Sequence, residues 1–148
     1  MNQVNIDNVL PHRDRMRLID EVIRVDSNTA VTASTVSETW PLFHQNAVNA
    51  MVLIELVAQT AGICFGWRER QKRGSITEGM GWLVGIKEAR FFRETLPLGS
   101  RIITEFKRCF DFENYHEVLG QAKMDDVPIA EIHLQIMESE PVKGDGNR

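Results

Sequence analysis

Asn46-Ala-Val-Asn-Ala-Met-Val-Leu-Ile-Glu55-Leu-Val-Ala-Gln59-Thr-Ala-Gly-Ile-Cys-Phe-Gly-Trp67 is the stretch whose reading decides the fold. Beyond it the chain turns basic through Arg68, Arg70, Lys72 and Arg73 and reaches Gly74. Alternation is absent, helix formers are plentiful and the run far exceeds an ordinary strand, which predicts one long helix from Asn46 to Gly74. Asn46 or Asn49 can cap its start, the basic residues suit the negative end of its macrodipole, and Gly74 can close it. The interior is apolar on nearly every face, so the helix is expected to be buried on nearly every face. Two polar residues, Glu55 and Gln59, interrupt it at i, i+4 spacing and therefore share one side. A carboxylate in such a place calls for a reason.

Composition sets the frame around this helix. With 148 residues the chain suits one domain with a real core, expected over 1–138, followed by a polar, Pro- and Gly-containing tail at 139–148 expected to be disordered. A formal net charge of −4 gives no support to a nucleic-acid partner. Cys64 and Cys109 lack metal-ligand spacing and read as buried thiols of a reducing compartment, and the polar N-terminus carries no apolar leader segment, so a cytoplasmic location is expected. A membrane span is rejected because Glu55 and Gln59 lie near the middle of the helix, where a carboxylate would cost on the order of 2–3 kcal/mol or more.

The flanking sequence reads as strands. Leu18 to Val25 and Thr29 to Val36 make a hairpin across Asp26-Ser27-Asn28, and Ser37 to Gln45 is irregular. Trp82 to Phe91 and Arg101 to Asp111 are further strands, with a Pro97-Leu98-Gly99 turn between them. Tyr115 to Met124 and Val127 to Met137 form a last hairpin across Asp125-Asp126. One helix among runs of strands argues α+β with a mostly antiparallel sheet. A helix that is apolar all round must be wrapped by the sheet or covered by a second subunit, so a dimer is expected. This pattern points to the hotdog fold, an antiparallel β-sheet wrapped around one long central helix.

Four stretches resemble the hotdog-fold 3-hydroxyacyl-[acyl-carrier-protein] dehydratases. They are Leu10-Pro11-His12-Arg13 with Met16 to Val22, the helix segment Ile54 to Gly62, the strand Gly85-Ile86-Lys87-Glu88-Ala89-Arg90-Phe91, and the Pro97-Leu98-Gly99 turn. Together they span about residues 10 to 137, and the helix segment is the most specific. Where that family carries Gly-His-Phe-Pro-Gly before the helix, this chain has Pro41-Leu42-Phe43-His44-Gln45-Asn46-Ala47-Val48-Asn49-Ala50. In this it is similar to the divergent dehydratase subunits of aryl-polyene pathways.

The resemblance implies dehydration of 3-hydroxyacyl thioesters carried on acyl carrier protein, with Glu55 and His44 as the catalytic pair. A histidine near neutrality suits removal of the proton next to the carbonyl. A carboxyl buried among apolar side chains can stay protonated to release the hydroxyl as water. Gln59 can hold Glu55 by a hydrogen bond, and free N–H groups near Asn46, Ala47 and Val48, beside Phe43, could polarise the thioester carbonyl. In the family the acid and base come from different subunits. Arg90 and Arg93, with the basic helix end, would meet the acidic carrier protein and its pantetheine phosphate; the bland reading of the helix end is a solvated surface. His12, His116 and His133 read as structural or solvated, and Trp40, Trp67 and Trp82 as core or interface anchors. No cofactor is expected, since no Gly-rich phosphate loop, metal-ligand cluster or Ser-His-Asp order is present. Two other readings stand beside dehydration: thioester hydrolysis on the same fold, and a non-catalytic or half-site subunit of a heterodimer.

Overall fold

The computed structural model describes Ile6 and residues 17–73 and 82–138, without the side chains of Lys72, Arg73 and Trp82. The elements run β1 (Glu21–Val25), β2 (Thr29–Thr35), β3 (Phe43–His44), β4 (Ala47–Asn49), α1 (Val52–Arg73), β5 (Trp82–Phe91), β6 (Thr95–Pro97), β7 (Arg101–Phe112), β8 (Tyr115–Met124) and β9 (Val127–Met137). Six strands form one sheet in the order β1-β2-β7-β8-β9-β5, antiparallel throughout, and β3-β4-β6 form a small second sheet.

Period-two alternation decides which residues meet the helix. The rung Thr32–Thr104–Ala122–Ala130 crosses four strands and is wholly buried, as is its neighbour Ala30–Phe106–Gly120–Ile132. These rungs are rich in small residues because α1 packs directly on β2, β7, β8 and β9. At Gly120 the approach is closest. A Cβ there would stand 2.3 Å from Val57 Cγ1, so only glycine admits the helix at this distance. From α1, Val52, Leu53, Leu56, Val57, Ile63 and Phe65 fill the core, each contributing about 1.5–3 kcal/mol by burial.

The helix is shorter at its start than the sequence predicts. It begins at Val52, and Asn46 to Asn49 are not helical. Gln45 and Asn46 take φ of 52° and 63°, making the two-residue turn of a β3–β4 hairpin in which His44 faces Ala47. Val48 is then buried opposite Leu96 of β6. Pairing with a strand distant in sequence overrides local helix propensity here. Asn49 keeps a capping role of a different kind, its Oδ1 accepting the Met51 N–H at 2.9 Å just ahead of the helix.

One other expectation is corrected. Cys64 is buried but Cys109 is exposed, because along β7 it follows the inward-facing Phe106 and Arg108 by alternation and so lies on the outer face. The apolar surface of the helix is largely covered within the chain, leaving half-buried Ile54, Ala58 and Gly62 in a line with Glu55. The apolar surface open to a partner lies instead around the edge strand β5, where Leu83, Val84, Ile86 and the adjoining Phe92 are exposed. Trp40 is buried and Trp67 packs against the core. No helix among the described residues is long and apolar enough to cross a membrane. The expectations for the opening segment, for Gly74 and the loop after it, and for a disordered tail lie outside the described residues.

Candidate active site

Glu55 stands in the first turn of α1 rather than near its middle, half-buried, with apolar neighbours on both sides in the sequence. Gln59, one turn on, is completely buried. Its Nε2 donates to Glu55 Oε2 at 2.9 Å, and its Oε1 accepts the backbone N–H of Leu18 at 2.9 Å. The carboxyl is therefore held through a side-chain amide that is itself anchored to the chain leading into β1. An open groove of about 640 Å³ is lined by Met51, Phe91, Phe92, Arg93 and Glu94 among others. The groove lies between the chain leading into α1, at Asn49, Ala50 and Met51, and the segment after β5.

The other expected site residues are placed less favourably in the single chain. His44 is exposed on β3, and among the described residues its ring makes no hydrogen bond and none joins it to Glu55. Phe43 is half-buried against the core. Asn46, Ala47 and Val48 belong to the hairpin rather than to the helix start, so they offer no helix N-terminus to a thioester. The neighbouring N–H groups are already used: Asn49 donates to Leu42 O at 3.1 Å and Ala50 to Glu94 O at 2.8 Å. Arg90 is mostly exposed and pairs with Glu131 on β9, while Arg93 Nε donates to Thr95 O at 2.8 Å.

A second polar cluster, at the other end of α1, escapes a reading by spacing. His116 is buried on β8. Its Nδ1 lies 2.5 Å from Asp111 Oδ1 and its Nε2 2.6 Å from Glu138 Oε1. Arg108 Nη1 lies 2.9 Å from the same Asp111 oxygen, and its guanidinium sits 4.2 Å above the Phe65 ring, which also packs on His116. Arg108 Nε donates to Ser27 O, and Cys64 Sγ to Asp26 O, tying the β1–β2 turn to the same point. Burial, moderated by Arg108, pushes the Cys64 thiol up to about 11, so it is no ready nucleophile. Strict alternation from Phe106 would put Phe110 inward; the bulge at Cys109 puts Asp111 there instead. Among the described residues no group of three or more His, Cys, Asp or Glu side chains is arranged to hold a metal ion. A smaller groove of about 380 Å³, bordered by Arg24, Glu105, Lys107, Gln121 and Glu131, involves neither cluster.

Comparison with known proteins agrees with this architecture. Residues 4–144 match the ApeP-like family, described as ApeP dehydratase. The chain is 31% identical over 139 residues to the 3-hydroxyacyl-[acyl-carrier-protein] dehydratase FabZ of Thermotoga petrophila, covering 90% of this chain and 95% of that one. It is 30% identical over 135 residues to FabZ of Rhizobium etli, covering 87% and 83%. In three dimensions it superposes on a chain of the dehydratase heterocomplex ApeI:P from Xenorhabdus doucetiae with a TM-score of 0.83 at 23% identity, over 94% of this chain and 93% of that one. A hypothetical thioesterase with coenzyme A from Streptococcus pneumoniae superposes at 0.64 with 9% identity, over 83% and 88%. The fold is the hotdog fold.

Proposed function

The chain belongs to the ApeP-like dehydratase family, and from that premise we propose that it is a hydro-lyase acting on 3-hydroxyacyl chains carried as thioesters on acyl carrier protein. The product is the trans-2-enoyl thioester, in fatty-acid or polyene-type biosynthesis. The observation that carries this reading is the Leu18–Gln59–Glu55 chain of hydrogen bonds, which fixes a half-buried carboxyl on an otherwise apolar helix face. A base takes the proton from the carbon next to the thioester carbonyl, and its electron pair forms the new double bond. The C–O bond breaks, and Glu55 supplies the proton that turns the departing hydroxyl into water. His44 is the base in this scheme, acting across a subunit boundary because its own chain does not bring it to Glu55. Gln59, Phe43, Asn46, Ala47, Val48 and Arg90 are the residues proposed to border the substrate or its carrier, whose acidic surface would suit Arg90 and Arg93.

Purified protein given a 3-hydroxyacyl thioester is expected to build up absorbance from the conjugated enoyl product, and Glu55→Ala to abolish it. Unchanged turnover in that variant overturns the assignment. Release of free thiol without enoyl product selects hydrolysis instead.

A second reading is favoured by the exposed His44 and by the likeness to a chain of a heterocomplex. Here this protein is one half of a hotdog heterodimer and lends Glu55 to a site completed by its partner. Activity that appears only on adding a second hotdog subunit supports it, and full activity of the isolated homodimer rules it out.

A further inference from the structure

His44 stands on a two-residue strand, and left-handed residues bound that strand on both sides. Leu42 before it has a φ of 65°, and Gln45 and Asn46 after it have 52° and 63°. Gln45 and Asn46 are the central pair of a hairpin turn, where positive φ suits both positions. Leu42 is different. It follows Pro41 in the turn that leaves buried Trp40, and positive φ at the second central residue of a turn ordinarily calls for glycine. A bulky residue in that region is strained. The Leu42 side chain is 55% exposed, so burial within the chain does not offset the strain.

What the left-handed turn achieves is a choice of face. Neighbouring strand residues point to opposite sides, so only one of Phe43 and His44 can face outward. Phe43 packs against the core opposite buried Val48, and His44 is exposed opposite Ala47. Between inward-facing Trp40 and Phe43 the path of the chain is set by Pro41 and Leu42. The ring of Pro41 fixes its φ, which leaves Leu42 as the residue that turns the chain over. Backbone bonds tie the strand down on both sides. Leu42 O accepts the Asn49 N–H at 3.1 Å, and Asn46 O accepts the Leu98 N–H at 3.0 Å. Strain of this kind persists only where the surrounding structure holds it, and it gathers at functional positions. We infer that Leu42 is a positioning residue whose left-handed backbone, rather than its side chain, presents His44 outward on a fixed strand for proton transfer. This rests on the dehydratase reading with His44 as the base, and it adds what aims that base.

Substitutions graded by their tolerance of positive φ test the inference, in the assembly that turns over a 3-hydroxyacyl thioester. Leu42→Gly accepts the conformation and is expected to keep kcat within about threefold of wild type. Leu42→Val, β-branched and ill suited to it, is expected to lose kcat by about tenfold or more with KM changed less than about twofold, as a misaimed catalytic group does. In a His44→Ala background, Leu42→Val should cost nothing further, because the two act through one group. A merely structural Leu42 would lower the folded fraction, seen by circular dichroism, and leave the rate per folded molecule alone. Folded Leu42→Val with wild-type kcat, or with the same fractional loss in the His44→Ala background, overturns the inference. So does a loss in Leu42→Gly as large as that in Leu42→Val. Should the wild type form no enoyl product, or His44→Ala keep full turnover, the assignment of His44 as base fails by itself. The presentation of His44 is then judged by NMR: ring contacts to buried Val48 or Leu96 gained in Leu42→Val but not in Leu42→Gly uphold it, and their absence in Leu42→Val overturns it.

Discussion

The two ends of α1 carry the same kinds of side chain in opposite situations. Near its start, Glu55 is half-buried and accepts a hydrogen bond from Gln59. Near its C-terminal half, His116 is enclosed, with a carboxylate at each ring nitrogen and an aromatic ring on its face. The His116 cluster has the closer geometry and would be the more tempting by contact distances alone. Yet both of its ring nitrogens are occupied, which leaves it little to offer a substrate. Polar groups enclosed on every side hold a fold together, whereas a positioned carboxyl that is only half-buried can do chemistry.

Exchanging the two groups for inert ones should break that contrast most sharply. Glu55→Gln is expected to lower kcat by about a hundredfold or more while thermal unfolding stays near wild type. His116→Leu should do the reverse. It leaves Asp111 and Glu138 without the imidazole between them, costing about 2 kcal/mol, a figure kept below that for fully buried pairs because Asp111 is 46% exposed. Activity per folded molecule should be unchanged. A large loss of kcat in folded His116→Leu would reverse the assignment of roles.

Acid provides a gentler probe. Burial is the largest single influence on both Asp111 and Glu138 and pushes each upward, but it is outweighed. For Asp111 the hydrogen bonds and charges of His116 and Arg108 prevail, and for Glu138 those of His116 with the charges of Arg108 and Arg68, so both end below their ordinary values of 3.8 and 4.5. A group depressed in the folded state contributes its full stability above the unfolded value and loses it as pH falls through the folded one. Denaturant unfolding measured from pH 6 down to pH 3 should therefore show stability falling at the lower end. Glu138→Gln should flatten part of that fall. An identical pH slope in the variant would show that the cluster contributes nothing to acid sensitivity.

The smallest effect belongs to the hairpin before the helix. Gln45 holds a φ of 52° without being glycine, so Gln45→Gly is expected to leave stability unchanged or raise it by up to about 1 kcal/mol. Asn46 tolerates the same region better and should gain less from the same change. Clear destabilisation of Gln45→Gly by chemical denaturation would mean that its side chain, rather than its backbone, holds the turn.

Much of this was open to reading along the chain. Strands β5, β8 and β9 lie where alternation and turn residues put them, and Asp125 and Asp126 adopt positive φ as the turn between β8 and β9 requires. The Glu55–Gln59 contact follows from i, i+4 spacing alone. Strands β3, β4 and β6 were not legible, because two- and three-residue strands carry no period and exist only through pairing across the chain. The convergence of Arg108, Asp111 and His116 follows from one bulge, which leaves no mark in the pattern of residue types.

What the sequence determined by itself is local in origin. A long apolar helix, a carboxyl embedded near its start with an amide a turn away, and alternating strands to enclose them all follow from periodicities of 3.6 and 2. What only the tertiary structure decided is where distant segments meet. The Leu18 backbone orients Gln59, β6 takes residues 47–49 from the helix, and β7, β8 and the residue after β9 converge on His116. These depend on hydrogen-bond partners separated by tens of residues, and burial makes such partners obligatory without encoding them in any neighbouring pattern.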